Sequence, residues 1–332
     1  MKNLITIDVI IPTYNYEKYI LQAIESVQKQ TFLPAKIIVV DDGSSDNTEM
    51  LVRQYASRVP VVYVKKENGG PNSARNLGLK HVESDYVAFL DADDIWQPEK
   101  LEKQVAVFKN TNFSNLGAIY CAYALIDEDG VNINNLGIVS IEKNMRGMIF
   151  SQLLEANKIV SSASGILIKR ECFDEVGLFD EKLRIGEDWD MWLRLAEAFE
   201  YDFVDETLVK IRKHTDNTQN NEEYVFKNEL KFYEKWSNIL KKKNIKCPRL
   251  WANLIAVRVI KRLPKTDFLK LVDASLNKTT RQNIFHLFFG LVRLQIFAVA
   301  SYIFIVDTVS LMVSFAVQIK RYFKKVLLIL FK

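Results

Sequence analysis

Leu90-Asp91-Ala92-Asp93-Asp94 carries the densest chemistry in the sequence. Three carboxylates follow directly on an apolar run, Tyr86-Val87-Ala88-Phe89-Leu90, whose length and character fit a buried strand. The acids then stand at the strand's carboxyl end, where ligands bind in an open α/β sheet. Acids this close repel one another unless something positive joins them. A divalent cation shared with a phosphorylated ligand meets that need, because Mg²⁺ typically takes one or two carboxylates plus phosphate oxygens. The plainer alternative is that Asp after a strand is a turn or cap former. Asp94, with Pro98 near the first turn of the next helix, suits that role.

Two further sets of residues have the types for such chemistry. Arg75 lies on a helix expected to begin after Gly69-Gly70-Pro71, and a glycine-flanked helix N-terminus suits an anion. A guanidinium there can hold a diphosphate; its alternative is a solvated surface Arg of little consequence. Glu187 and Asp188 open an apolar helix. Either acid can accept a proton from a hydroxyl, or both simply complement the helix dipole, which would also keep Asp188 ionised. No Ser-His or Cys-His arrangement suggests a covalent nucleophile.

These residues need a scaffold, and the first hundred residues alternate strand and helix. Ile7–Ile11, Lys36–Val40, Val61–Val64 and Tyr86–Leu90 read as strands. Between them, Tyr19, Ile20, Ala23, Ile24 and Val27 recur at helical spacing, a second helix starts near Asp46, and a third carries Ala74-Arg75-Asn76. Strands separated by helices of this length predict an α/β fold with a mostly parallel central sheet and right-handed crossovers. Nearly every strand ends in Thr, Asn, Asp or Gly. After Pro98 the sequence predicts a helix to about Lys109, a strand over Ala118–Ile126, a turn at Asp127-Glu128-Asp129-Gly130 and a strand over Ser161–Ile168. A helix from Gly186 to about Glu200 and a last strand over Asp202–Lys213 follow. From Glu222 to about Thr280 the pattern is basic and helical.

The bulk numbers bound these readings. The chain has 332 residues, 48% hydrophobic and 26% charged, a globular profile. A net charge of +4 gives no electrostatic case for nucleic-acid binding. Cys121, Cys172 and Cys247 show neither pairing nor metal spacing, which fits a reducing cytosol. Asp8 and Pro12 interrupt the first apolar run, and no small-residue cleavage pattern marks a signal peptide.

Five motifs occur in order: Ile11-Pro12-Thr13-Tyr14-Asn15, Val40-Asp41-Asp42-Gly43-Ser44-Ser45-Asp46, Gly70-Pro71-Asn72-Ser73-Ala74-Arg75-Asn76, Leu90-Asp91-Ala92-Asp93-Asp94 and Gly186-Glu187-Asp188-Trp189-Asp190. Any one is weak; the ordered set, over roughly residues 5–218, resembles the inverting, family 2 glycosyltransferases of the GT-A fold. The resemblance implies a nucleotide diphosphate sugar donor, most simply a UDP-sugar. It implies that Pro12, Thr13, Tyr14 and Asn15 lie along the nucleoside, with Tyr14 able to pack on the base. It puts Asp42 on the base edge, although Asp-Gly-Ser is also an ordinary turn and cap. Arg75 would bind the diphosphate or the donor sugar. Asp93 would bind Mn²⁺ or Mg²⁺ directly, and Asp91 would reach the ribose, or the metal through water. His214, in Arg212-Lys213-His214-Thr215-Asp216-Asn217-Thr218, would be a further metal or diphosphate ligand; on its own it reads as an ordinary His after a strand. Asp188, the second acid of its pair, would be the catalytic base. The rivals are a nucleotidyltransferase, which lacks its glycine-rich basic loop here, and a non-catalytic nucleotide-sugar-binding scaffold of a membrane glycan assembly complex.

The resemblance makes residues 1–220 the GT-A domain and leaves 221–283 as a helical extension and 284–332 as membrane-associating helices. Ile296–Ile319 is long enough to span a bilayer, but Asp307 near its middle would cost roughly 2.5–3.5 kcal/mol. Arg293, Asp307, Ser314, Gln318, Arg321 and Lys325 fall near one helical stripe, which favours a helix lying in the interface. Lys320, Arg321, Lys324, Lys325 and Lys332 suit an anionic surface. The expectation is a peripheral enzyme on the cytoplasmic face of the membrane, acting on a saccharide or lipid-linked saccharide of a surface polysaccharide. A single-pass anchor is one alternative; a soluble helical domain or a homo-oligomer interface burying the same residues is the other.

Overall fold

The structure, a computed structural model, describes residues 5–133, 141–159, 162–214 and 222–245. Its amino-terminal half alternates β1 (Ile7–Thr13), α1 (Ile20–Gln28), β2 (Lys36–Asp41), α2 (Thr48–Gln54), β3 (Val61–Lys65), α3 (Pro71–Lys80) and β4 (Tyr86–Phe89). All seven residues of β1 are buried, as a strand covered on both faces by helices requires. Helix α1 turns Ile20, Ala23, Ile24 and Val27 inward at the expected spacing. They pack with Val9, Ile11, Ile37, Val39 and Leu90 in the main core.

Strands β3, β2, β1 and β4 lie side by side and all parallel. The chain moves outward from β1 to β2 and β3, then returns to the other flank of β1 to form β4. That reversal opens a crevice at the carboxyl ends of β1 and β4, the usual ligand position in such sheets. Thr13 is in register with Asp41, and Ile10 with Phe89. The residues following all three strands therefore emerge at one edge.

The second half extends the sheet. Strand β5 (Ile95–Trp96) and α4 (Lys100–Asn110) follow the acids, and β6 (Leu116–Ile126), α5 (Phe150–Glu155), β7 (Leu167–Lys169), α6 (Cys172–Val176), α7 (Glu187–Ala198) and β8 (Glu200–Arg212) complete it. The order is β3-β2-β1-β4-β7-β6-β8-β5. β7 is antiparallel to β4 and β6, β8 runs parallel to β6, and β5 pairs antiparallel with β8. The sheet is thus curled and mostly parallel, flanked by helices. A mean right-handed twist between strands makes such curling the norm in a sheet of this width.

The expected strand over Ser161–Ile168 is corrected. Ser161 lies outside the described residues; Ala163–Gly165 form a 3₁₀ turn, and only Leu167–Lys169 pair as a strand. The backbone leaves extended geometry there because Ser164 is drawn to the acids after β4. Strand β5 and helices α5 and α6 have no counterpart in the sequence reading; at 2, 6 and 5 residues they are too short to show a period. One compact unit covers Met1–Phe232 and a second Tyr233–Lys332. Helix α8 (Glu222–Lys242) carries both ends of that division. The apolar and basic tail at 284–332, and most of the 221–283 extension, lie outside the described residues. No described helix is long and apolar enough to cross a membrane.

Candidate active site

The ends of β1 and β2 form one wall. Pro12 and Thr13 close β1, buried beside Val40 and Asp41. Tyr14 is 47% exposed, its ring free to lie on a flat ligand. Asn15 has a left-handed φ of 56°, which Asn tolerates better than most residues. Its backbone N–H donates to Ser44 Oγ and its side-chain Oδ1 accepts from the Ser45 N–H, tying the two strand ends together. Asp41 accepts from the Ser44 N–H and from the Tyr63 hydroxyl.

Asp42 is already engaged. Lys66 Nζ donates to it at 2.6 Å, and the backbone N–H groups of Gly69 and Gly70 donate at 2.9 and 2.6 Å. The carboxylate thus sits where an anion is favoured, at the threshold of α3. Gly70 takes a φ of 87°, and a Cβ there would meet Arg184 Nη1 at 1.4 Å. The positive φ favours glycine there, and any side chain would have to displace that guanidinium, which donates to the Gly69 carbonyl. A base edge meeting Asp42 would therefore meet a residue with three donors of its own.

The acids after β4 are held from three sides. Asp91 accepts from Arg75 Nη2 at 2.8 Å and from Ser162 Oγ at 3.0 Å, one bond on each oxygen. Ser162 holds a φ of 54° and a ψ of −166°, a region that costs a non-glycine residue roughly 1–3 kcal/mol. Ser164 Oγ accepts from the Asp91 N–H and donates to Asp94 at 2.6 Å. Asp94 also accepts from the Arg212 N–H. Burial, with Asp93 and Asp91 nearby, raises its pKa well above the ordinary carboxylate range. Asp94 is thus a structural acid, but its carboxylate ties β8 and Ser164 together rather than capping α4, whose N-cap is Glu99.

Asp93 and His214 are brought together from opposite ends of the domain. His214 Nε2 lies 2.9 Å from Asp93 Oδ2. Arg212, buried at the end of β8 two residues before His214, braces the Asp93 backbone. Its Nε donates to the Asp93 carbonyl, its Nη1 to the carbonyls of Asp127 and Glu128, and its Nη2 to Gln22 on α1. A carboxylate and an imidazole side by side are a mixed oxygen and nitrogen donor pair. Together with phosphate oxygens and water they fit a divalent cation. Among the described residues no group of three His, Cys, Asp or Glu has metal-binding geometry, so a cation here would depend on its ligand's oxygens.

Arg75 joins these acids to the candidate base. It is buried, and its Nη1 lies 3.9 Å from Glu187 Oε1. Burial works against its charge, but Asp91, Glu187 and Asp188 outweigh that and raise its pKa. Removing one member of such a buried pair typically costs about 3–5 kcal/mol. The surface-Arg reading is therefore excluded. Gly186, left-handed at φ 74°, turns the chain into α7 with the ring of Phe232 against it. Glu187 is pushed up to about 7 by burial and by Asp188, against the pull of Arg75. Asp188 is half-buried and also raised, chiefly by burial, with the Trp189 N–H and Arg75 opposing. The helix dipole was expected to keep it ionised; desolvation is the larger effect. A raised carboxylate is better matched to accepting a proton near neutral pH. Trp189 stacks on Phe232 at 4.5 Å and donates to the Leu153 carbonyl, so it is a packed wall rather than an open one. Trp192 is buried core.

Lys66, Ser162, Ser164, Arg184 and Arg212 went unassigned in the sequence. Arg212 stood within a quoted motif and could have been found; the others have no local signature.

The sheet order, crevice and acid cluster together describe a GT-A type sugar transferase. The family profile of glycosyl transferase family 2 matches residues 8–177, just over half of the chain. An uncharacterised glycosyltransferase of Rickettsia typhi is 32% identical over 237 residues, covering 71% of this chain and 72% of its own. The minor teichoic acid biosynthesis protein GgaB of Bacillus subtilis is 33% identical over 220 residues, 63% of this chain but 23% of GgaB. S. aureus TarS 1–349 in complex with UDP-GlcNAc shares the fold, with a TM-score of 0.57 at 22% identity over 76% of this chain and 72% of that one. This chain belongs to glycosyltransferase family 2 and is a glycosyltransferase.

Proposed function

We propose that the enzyme transfers a sugar from a UDP-sugar to a saccharide or lipid-linked saccharide acceptor, with inversion at the anomeric carbon. The observation that carries this reading is Arg75, a single buried cation that contacts Asp91 at one end and lies beside Glu187 at the other. A donor phosphate and an attacking hydroxyl need such opposed groups within one site. The acceptor oxygen would bond to the anomeric carbon as the bond to the diphosphate breaks. The electron pair leaves on the diphosphate oxygen, and the hydroxyl proton passes to Asp188. Pro12, Thr13, Tyr14 and Asn15 would line the nucleoside, with Tyr14 on the base and Asp42 at its edge once Lys66 or a glycine N–H is exchanged.

Asp93 and His214 would hold Mn²⁺ or Mg²⁺, with Asp91 behind them. Such a cation supplies charge stabilisation to the leaving diphosphate. The UDP-GlcNAc complex of TarS supports a uridine nucleotide donor, and GgaB supports an acceptor in cell-surface polymer synthesis. The basic and apolar residues 284–332 support attachment to the cytoplasmic membrane surface.

A panel of nucleotide sugars offered to the purified enzyme with Mn²⁺ tests this. Release of UDP from one UDP-sugar, and a product of opposite anomeric configuration by NMR, is the expected result. Binding without turnover across the panel would support the scaffold reading instead, and a retained configuration would overturn the inverting mechanism.

A further inference from the structure

We propose that Asn72 and Asn76 of α3 are positioning residues that hold Asp188 at a fixed offset from the acids after β4. The proposal rests on the reading of Asp188 as the base. Both asparagines are buried, at 1% and 5% exposure, and both side-chain amides donate away from their own helix. The side-chain amide of Asn76 pairs with the backbone of Phe179 in both directions, donating to its carbonyl and accepting from its N–H at 2.9 Å each. It also donates to Glu181 Oε1. Asn72 Nδ2 donates to the carbonyls of Asp180 at 2.9 Å and Leu183 at 3.0 Å. These five hydrogen bonds all end on one irregular segment more than a hundred residues away.

That segment leads straight into the base. Leu183 is followed by Arg184, which donates to the Gly69 carbonyl just before α3, and then by Ile185, Gly186, Glu187 and Asp188. Asn72, Arg75 and Asn76 are spaced at i, i+3 and i+4 and so share one face of α3. Arg75 holds Asp91 from that face, and Asn72 Oδ1 accepts from Arg75 Nη1 at 3.4 Å. One ten-residue helix therefore grips the donor-side acids and the loop that carries the base. Packing alone does not explain buried amides here. An apolar side chain of similar size, such as leucine, would fill the space without desolvating a polar group, and desolvation is costly unless every bond is made. Polar pairing fixes the loop's register as well as its contact, and displacement of a catalytic group by about 1 Å can cost on the order of 10²-fold in rate.

The test compares full-length Asn76→Ala, Asp188→Asn and Val52→Ala with the parent enzyme. Val52 is buried on α2 and serves as a destabilised control outside the site. UDP affinity with Mn²⁺ is measured by calorimetry. The kcat is measured on the nucleotide sugar selected by the donor panel, well below each variant's melting temperature. Asn76→Ala should lose at least about 30-fold in kcat while its UDP Kd stays within about threefold; Val52→Ala should lose less than about threefold. A kcat for Asn76→Ala within threefold of the parent overturns the proposal. So does an equal loss in Val52→Ala, or a UDP Kd that weakens as much as kcat falls. Should Asn76→Ala fail to fold, Asn76→Asp, which keeps the acceptor for the Phe179 N–H but loses both donated bonds, carries the same criteria. Turnover retained by Asp188→Asn would instead overturn the base assignment.

Discussion

Glu187→Gln should make the enzyme more stable in base and extend its activity toward acid. Glu187 is about one-fifth exposed, beside Asp188, with Arg75 as the nearby counter-charge. Its pKa of about 7 stands above the ordinary 4.5 because burial and the Asp188 charge disfavour ionisation. The folded form therefore binds more protons than the unfolded chain between those values. Stability from this group is fully present below about pH 4.5 and is lost as pH rises through about 7. Between pH 5 and 8 that loss is roughly 2 to 3 kcal/mol, since the folded value lies well above the unfolded one and only a small part is already lost by pH 5. Gln is nearly isosteric and does not titrate. Urea unfolding at the two pH values should show Glu187→Gln gaining roughly 2 to 3 kcal/mol on the parent between pH 5 and 8. Like charges act reciprocally, so removing Glu187 should also let Asp188 ionise at lower pH. The acid limb of the kcat profile should then move downward. An unchanged stability difference at pH 5 and 8 would refute the buried, charge-paired picture of this dyad.

Asp93→Ala should abolish divalent-dependent transfer while melting near the parent temperature; full parental activity in EDTA would remove the metal from the scheme. Asp188→Asn should bind UDP near-normally and lose on the order of 10²–10⁴-fold in kcat, and wild-type turnover would move the role to Glu187 or Asp190. Full-length protein should pellet with anionic vesicles in a salt-sensitive way. A chain ending at Lys278 should stay soluble and still process donor. Full-length protein that stays monodisperse without detergent and ignores vesicles would remove the membrane attachment.

The sequence determined the order of β1 to β4 and the helices between them, because each strand is a continuous apolar run and α1 shows a clear 3.6-residue stripe. It also marked the strand ends that carry chemistry, since acids directly after a buried strand can only emerge at the crevice edge. Tertiary structure alone decided what those acids touch. Asp42 looked open to a ligand but is filled by Lys66, Gly69 and Gly70. Asp93 meets His214 across 121 residues, and Asp91 meets Ser162 across 71. Ser162, Lys66 and Arg184 have no periodic or local signature, because long-range hydrogen bonds leave no mark on neighbouring residues. The same reason hides β5 and α6, which form only where a partner strand or core face is already in place. The pKa values follow suit: Asp188 lies at a helix start in the sequence, but its titration is set by burial, which only the folded chain creates.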